Sequence, residues 1–181
     1  MMFCGWDFLK KIQQGCRDDI ERSLIATLFE TGGRPSEIVL LSNKNFIFKD
    51  QFIIVENMPL KRGRTMSYRT FPIPRNEPLV EEMLLAFRIS EQPFNFTPTN
   101  LYIKVKNIVI RLGEMKIPFS NEPVLKISPK WFREMRIAQL YEEYEFDLAD
   151  LAAFFGWRLP WYGGRKLPSF WELALKMVKK K

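Results

Sequence analysis

The chain has 181 residues, of which 46% are hydrophobic and 14% aromatic, so it can bury a core and is not a disordered polypeptide. We predict a single domain over residues 1–181, because this length matches one domain. Lysine and arginine number 28 against 21 aspartate and glutamate, a formal net charge of +7 that favours nucleic acid or an anionic surface as partner.

The residue types argue against membrane insertion and against metal chemistry. No segment approaches the roughly 18 to 20 apolar residues of a membrane helix, and no signal-peptide pattern is present, so we expect a cytoplasmic protein without a membrane partner. The chain has no histidine, and its only cysteines are Cys4 and Cys16. A zinc site would have to be built largely from carboxylates, so we expect neither a metal nor another cofactor. Any acid–base catalysis falls to Lys, Tyr, Asp or Glu.

The first predicted elements surround a sharp break in the chain. Apolar residues at helical spacing predict a helix over residues 6–30 and a short helix over 36–42. The pair Gly32–Gly33 ends the first helix, and Pro35 suits the first turn of the second. Arg34 is therefore predicted at a helix–helix corner, where its rigid fork of donors suits a phosphate better than an apolar core.

A basic β-hairpin is predicted next. Residues 46–58 are rich in β-formers and predict a strand, and a glycine-bearing turn over 60–65 leads to a second strand over 68–74 that prolines close. Between Lys61 and Arg75 there are five basic residues and no acidic one.

Helices dominate the rest of the sequence. They are predicted over 78–89 and 99–113, and from Pro129 to about residue 144, with Ser128 as the capping residue. A helix from Asp147 to Gly156 and an amphipathic helix over 170–178 follow. The sequence therefore predicts an α+β, mainly helical fold with a small antiparallel β-sheet.

The order of these features resembles the catalytic domain of the tyrosine recombinase (phage integrase) family over most of the chain. The family's first box, T-G-x-R-x-S-E, corresponds to Thr31–Ile38. The family then places a lysine in a hairpin turn and a basic residue before an apolar-Pro strand end, which match Lys61 and Arg69–Ile73. The second box, H-x-x-R followed by a helix ending in G-H or G-W, corresponds to Lys130–Arg133 and Leu148–Trp157. The resemblance implies the recombinase catalytic-domain fold.

The resemblance also implies a role for each matching residue. Arg34 and Arg133 become the two catalytic arginines, Lys61 the general acid, and Trp157 the residue that buttresses the phosphate. Lys130 stands where the family has histidine, and either cation can donate to a phosphate or shuttle a proton. The further DNA contacts that we predict are Arg62, Arg64, Arg69, Arg158 and Lys166.

The nucleophile has two possible alignments. Tyr162 is the only tyrosine after Trp157, at a shorter spacing than the family's. The alternative places Lys166–Trp171 on the family's Pro-x-x-Tyr segment, which puts Trp171 at the tyrosine position and abolishes cleavage. We favour Tyr162, because the glycines that follow it would let the segment swing.

The implied chemistry needs no metal. Negative charge grows on the non-bridging phosphate oxygens, where two arginines and Trp157 would stabilise it. The tyrosine forms a 3′-phosphotyrosyl link, and Lys61 protonates the leaving 5′-oxygen. The predicted function is that of a site-specific recombinase or integrase, with an archaeal virus or another archaeal mobile element as the expected source. Two alternatives stay open: a recombinase-fold DNA-binding protein that has lost cleavage, and a type IB topoisomerase-like relaxing enzyme.

The expected partner is double-stranded DNA, bound with a strongly salt-dependent affinity. The family's separate N-terminal DNA-clamping domain has no predicted counterpart in this chain. In the family, a C-terminal segment often docks on the neighbouring protomer. The helix over 170–178 is therefore expected either to pack on its own domain or to join protomers into a dimer or tetramer on DNA.

Overall fold

The computed structural model describes residues 2–62, 65–158 and 166–179, and for residues 61, 62, 65 and 66 it describes the backbone alone. The strands within these ranges are β1 Phe46–Phe48, β2 Phe52–Arg62 and β3 Thr65–Pro74. The α-helices within them are α1 Trp6–Gln13, α2 Asp19–Thr31, α3 Pro35–Ile38, α4 Val80–Ile89, α5 Pro98–Ile110, α6 Pro129–Tyr144, α7 Leu148–Phe155 and α8 Phe170–Val178. The predicted α+β, mainly helical architecture is confirmed.

The three strands form one antiparallel sheet in the order β1-β2-β3, as the prediction of a small antiparallel sheet requires. The prediction of one continuous strand over residues 46–58 is wrong. The chain turns back at residues 49–51 and forms two strands, in which Phe46 of β1 pairs with Val55 of β2. The pairing of β2 with β3 shifts register between Val55 and Met58, where Asn57 has a φ of 53°.

The helix predicted over residues 6–30 is in fact two helices. α1 ends at Gln13, and α2 begins after Asp18, whose carboxylate accepts a hydrogen bond from the Glu21 backbone N–H at 2.8 Å. Gly32 then ends α2 with a φ of 55°, as predicted for the helix end.

Helices α6 and α7 lie where the sequence predicts them. Pro129 is the first residue of α6, but Ser128 makes no side-chain capping hydrogen bond, so that detail of the prediction is wrong. The Asp147 carboxylate caps α7 by accepting from the backbone N–H groups of Ala149 at 2.8 Å and Asp150 at 2.9 Å. Gly156 ends α7 in the left-handed conformation.

The core lies between the sheet and helices α2, α4, α6 and α7. Phe71 of β3 packs on Phe154 of α7 with 4.6 Å between ring centroids. α8 packs on β3 and α7 of the same chain. Lys176 of α8 forms an ion pair with Asp150 of α7, and Trp171 contacts Phe52 at the start of β2. The described part of the chain contains no helix that is both long enough and apolar enough to span a membrane.

A buried polar network anchors α6 to α2. Arg136 is fully buried, and its Nη1 lies 2.7 Å from Glu77 Oε2 and 3.3 Å from Glu30 Oε2. Burial and the neighbouring Glu77 raise the pKa of Glu30 well above its usual value. Burial also opposes ionisation of Glu77, but the charge of Arg136 and the hydrogen bonds to Glu77 together outweigh burial and lower the pKa of Glu77, which therefore carries the charge that pairs with Arg136. Because Arg136 lies one turn after Arg133, this network also fixes the helix face that carries Arg133.

Candidate functional site

Arg34 lies at the corner between α2 and α3, as predicted. Its backbone N–H donates to Glu37 Oε2 at 3.0 Å, and its Nη1 lies 3.7 Å from Glu37 Oε1. Glu37 is fully buried, whereas the Arg34 side chain is 53% exposed. The backbone of Arg34 is therefore fixed while its guanidinium is open to an incoming anion.

Arg133 reaches the same corner from the first turns of α6. Its Nη1 donates to the Gly32 carbonyl at 2.5 Å and lies 3.9 Å from Glu37 Oε2, and its guanidinium stacks 4.7 Å from the centroid of the Phe155 ring. The side chain is 12% exposed. Burial lowers the pKa of Arg133 to about 10, with Glu37 opposing the shift and Arg34 adding to it. Arg133 is therefore still a cation at neutral pH.

A cleft of about 490 Å³ brings Arg34, Lys130 and Arg133 together, and we name it the arginine cleft. The α2–α3 corner and the start of α6 form two of its walls, and Pro98 and Tyr102 of α5 form the third. Three of the site residues predicted from separate parts of the sequence therefore line one cavity.

Lys130 is the most exposed of the three cations. Its side chain is 77% exposed, and its Nζ lies 3.1 Å from Glu134 Oε1, one turn further along α6. An exposed ion pair of this kind stabilises a protein by only about 0–1 kcal/mol. A phosphate in the arginine cleft can therefore draw the ammonium group away from Glu134 at little cost.

Arg69 lies inside the protein, where the sequence predicted a DNA contact. It is 4% exposed, its Nη1 donates to the Phe154 carbonyl at 2.7 Å, and its Nη2 donates to the Thr31 carbonyl at 2.8 Å. The prediction of a DNA contact for Arg69 does not hold, because its guanidinium bonds to backbone carbonyls and has almost no surface that DNA could reach.

Trp157 lies beside the arginine cleft and not in its wall. Its ring stacks on Phe155 with 5.2 Å between centroids and 19° between planes, and Phe155 is also the ring under Arg133. Trp157 lines a neighbouring cleft of about 360 Å³ together with Arg69 and Gly156. Phe155 therefore links the predicted buttress to the arginine cleft.

For four of the remaining predicted site residues, the structure gives only the backbone or the exposure. Lys61 and Arg62 end β2, where Lys61 pairs with Met66, and only their backbone is described. Arg158 and Lys166 are exposed, as DNA-contacting residues need to be. The predicted positions that lie outside the described residues are Arg64 and Tyr162.

Sequence reasoning gave no separate role to Glu37. Its carboxylate lies within 4 Å of the guanidinium nitrogens of Arg34, Arg69 and Arg133. Its position three residues after Arg34 could have predicted a capping role, because a glutamate at this position reaches back to the first backbone N–H of a helix. Three positive charges and one negative charge give this cluster a formal charge of +2, which suits a preorganised phosphate site.

Comparison with protein-family models, with curated proteins and with solved structures finds no match to this chain. Within the described ranges, no group of three or more cysteine, aspartate or glutamate side chains is placed to hold a metal ion.

Proposed function

We propose that this protein is a DNA strand transferase of the tyrosine recombinase type, with the recombinase catalytic-domain fold, and that its arginine cleft binds the phosphate to be cleaved. The observation that carries the proposal is the convergence of Arg34, Lys130 and Arg133 in one cleft. The resemblance assigns these residues to the phosphate site together with Trp157, which lies outside the cleft wall. Lys130 and Arg133 belong to one motif, and Arg34 belongs to a distant one. Double-stranded DNA is the proposed partner, since the net charge of +7 favours a polyanion.

The two arginines neutralise the non-bridging oxygens of the phosphate. Each guanidinium presents a fork of N–H donors, and Lys130 adds a third cationic donor at the mouth of the cleft. Because the Arg34 backbone N–H donates to Glu37 and the Arg133 guanidinium donates to the Gly32 carbonyl, the corner is already ordered and little reorganisation is needed when charge develops in the transition state.

The proposed reaction is a reversible exchange of phosphoester bonds. The Tyr162 hydroxyl attacks phosphorus and gives its proton to solvent water, a 3′-phosphotyrosyl bond forms, and the bond to the 5′-oxygen breaks. Lys61 gives a proton to the leaving 5′-oxygen. Attack by the 5′-hydroxyl of another strand reverses these steps, releases Tyr162 and joins the DNA in a new arrangement.

A DNA-binding protein without cleavage is the second candidate. The observation that favours it is Lys130, which replaces the family's histidine and forms an ion pair with Glu134. Binding needs only the charges of the cleft, whereas cleavage also needs Tyr162 and Lys61 to reach the phosphate.

Formation of a covalent adduct tests the proposal. The wild type is incubated with nicked duplexes drawn from the DNA that flanks the gene, and SDS-resistant protein–DNA complexes are measured beside Tyr162→Phe and Arg34→Ala. We expect an adduct in the wild type, none with Tyr162→Phe, and a loss of about 10² to 10³-fold with Arg34→Ala. Arg88→Ala is the matched control, since Arg88 is an exposed, ion-paired arginine on α4 and should keep wild-type activity.

The other outcomes are equally informative. An adduct that survives Tyr162→Phe would move the nucleophile elsewhere, and a mobility shift without any adduct would favour the binding protein. Relaxation of a supercoiled plasmid that carries no target site would favour the topoisomerase-like alternative. Absence of both binding and adduct would refute the proposal.

A further inference from the structure

Three arginines share the carboxylate of Glu37. The closest guanidinium nitrogens of Arg34, Arg69 and Arg133 lie 3.7, 3.8 and 3.9 Å from its oxygens. Glu37 has no exposed surface, so solvent cannot compensate its charge and the neighbouring cations must do so. Whichever arginine compensates Glu37 is less free to act on a phosphate.

Arg69 is the most buried of the three, since its side chain is 2% exposed. Its two terminal nitrogens donate to the carbonyls of Thr31 and Phe154, and its guanidinium lies 4.3 Å from the centroid of the Phe71 ring. Thr31 ends α2 and Phe154 belongs to α7, so Arg69 also connects the corner that carries Arg34 to the helix that carries the Phe155 ring. These contacts fix the cation beside Glu37.

The pKa of Arg69 is that of a cation buried beside a carboxylate. Burial lowers its pKa to about 9, Glu37 opposes the shift, and the charges of Arg133 and Arg34 add to it. Arg69 therefore still carries its proton at neutral pH.

We propose that Arg69 is the internal counter-ion of Glu37 and a positioning residue for the arginine cleft. By neutralising Glu37 from inside the protein, it leaves Arg34 and Arg133 free to bind a phosphate; this inference rests on the proposed function of the cleft. Without Arg69, Glu37 would be neutralised by the two cleft arginines and would hold them against the cleft wall. The formal charge of the cluster would then fall from +2 to +1.

A charge-balance experiment separates this role from a purely structural one. Arg69→Gln removes the charge and retains one amide group as a donor, and we expect it to weaken binding of a fluorescein-labelled duplex measured by anisotropy. The slope of log K against log salt should fall by about 0.9 for each DNA phosphate that the cleft no longer neutralises, although Arg69 itself does not reach the DNA. Arg69→Lys keeps the charge and should retain most of the affinity.

The decisive variant is Arg69→Gln combined with Glu37→Gln. Removing both charges returns the cluster to a formal +2, so affinity and salt slope should recover towards wild type. A purely structural role predicts that the double variant binds no better than Arg69→Gln. Glu37→Gln alone keeps an acceptor for the Arg34 backbone N–H and should bind DNA more tightly than wild type, a result that can be obtained even if Arg69→Gln does not fold.

The controls distinguish failure of this inference from failure of the proposed function. Thermal melting followed by circular dichroism confirms that each variant is folded, and Arg75→Ala, an exposed arginine just after β3, should bind like wild type. If Arg34→Ala and Arg133→Ala also bind like wild type, the cleft is not the DNA site and the proposed function fails. If those two variants weaken binding but Arg69→Gln does not, or if the double variant shows no recovery, the role assigned to Arg69 is wrong.

Discussion

Gly32 is the residue on which the shape of the corner most depends. A Cβ atom at this position would lie 2.4 Å from Phe155 Cε1, and the backbone has the positive φ that L-residues disfavour. Its carbonyl is the acceptor for Arg133, so the close approach of Phe155 and the position of Arg133 both depend on a residue without a side chain.

A left-handed backbone alone costs an L-residue roughly 1–2 kcal/mol. We therefore expect Gly32→Ala to lower the free energy of unfolding by more than this amount. Urea denaturation measures the change. Gly113→Ala is the matched control, because Gly113 has a φ of 66° with nothing within 4 Å of an added Cβ, so it isolates the backbone cost. Equal losses in the two variants would mean that the contact with Phe155 does not constrain the corner.

The burial of Arg69 was predictable, because side chains alternate between the two faces of a β-strand. A charged residue is usually exposed, however, and Arg69 was therefore predicted at the surface. Residues 69, 71 and 73 share one face of β3, and Phe71 and Ile73 are apolar core residues. The neighbouring basic residues suggested that Arg69 is exposed, and the predicted DNA contact depended on them. The two-residue alternation of β3 instead indicates that Arg69 is buried. Arg34, Lys130 and Arg133 were predicted together because their motifs specify both residue type and local structure.

At the scale of elements, both ends of α7 were predicted, whereas the break between α1 and α2 and the turn between β1 and β2 were missed. Asp147 and Gly156 bound α7 as expected, since an acidic cap and a left-handed glycine each have a local physical cause. The break at residues 14–18 was missed because apolar spacing continues across it, although Asp18 is a capping residue. The turn at residues 49–51 contains neither glycine nor proline, so composition alone did not mark it.

The cap of α7 makes a pH-dependent contribution to stability. Hydrogen bonds from the backbone N–H groups, with that of Asp150 first, lower the pKa of Asp147 below its usual value despite partial burial. A carboxylate with a lowered pKa stabilises the folded state fully above its unfolded pKa of about 3.9, and this stabilisation is lost as the pH falls through the folded pKa.

Asp147→Asn keeps a capping oxygen that does not titrate. At pH 7 we expect wild type and Asp147→Asn to differ by less than about 1 kcal/mol, whereas at a pH below about 3 the wild type should lose stability relative to the variant. Urea denaturation at the two pH values measures the difference. A difference that stays the same at both values would contradict the assigned cap.

At the scale of the whole molecule, the fold brings distant cations to one corner and gives them an internal anion. The α2–α3 corner supplies Arg34 and Glu37, α6 supplies Lys130 and Arg133, and β3 supplies Arg69 from inside. The sequence assigned Arg34, Lys130 and Arg133 to one site, and all three line the arginine cleft. It could not predict how their charges are balanced, since that depends on which guanidinium is buried next to Glu37.

The most direct test of the central claim compares two arginines of similar exposure at different places on the surface. Arg34 and Arg88 are 53% and 57% exposed and each pairs with one glutamate, but only Arg34 lines the arginine cleft. Duplex DNA affinity is measured for Arg34→Ala and Arg88→Ala at several salt concentrations. If the cleft binds a DNA phosphate, Arg34→Ala weakens binding and lowers the salt slope by about 0.9, while Arg88→Ala leaves both unchanged. If the two variants bind DNA equally well, the arginine cleft is not the phosphate site.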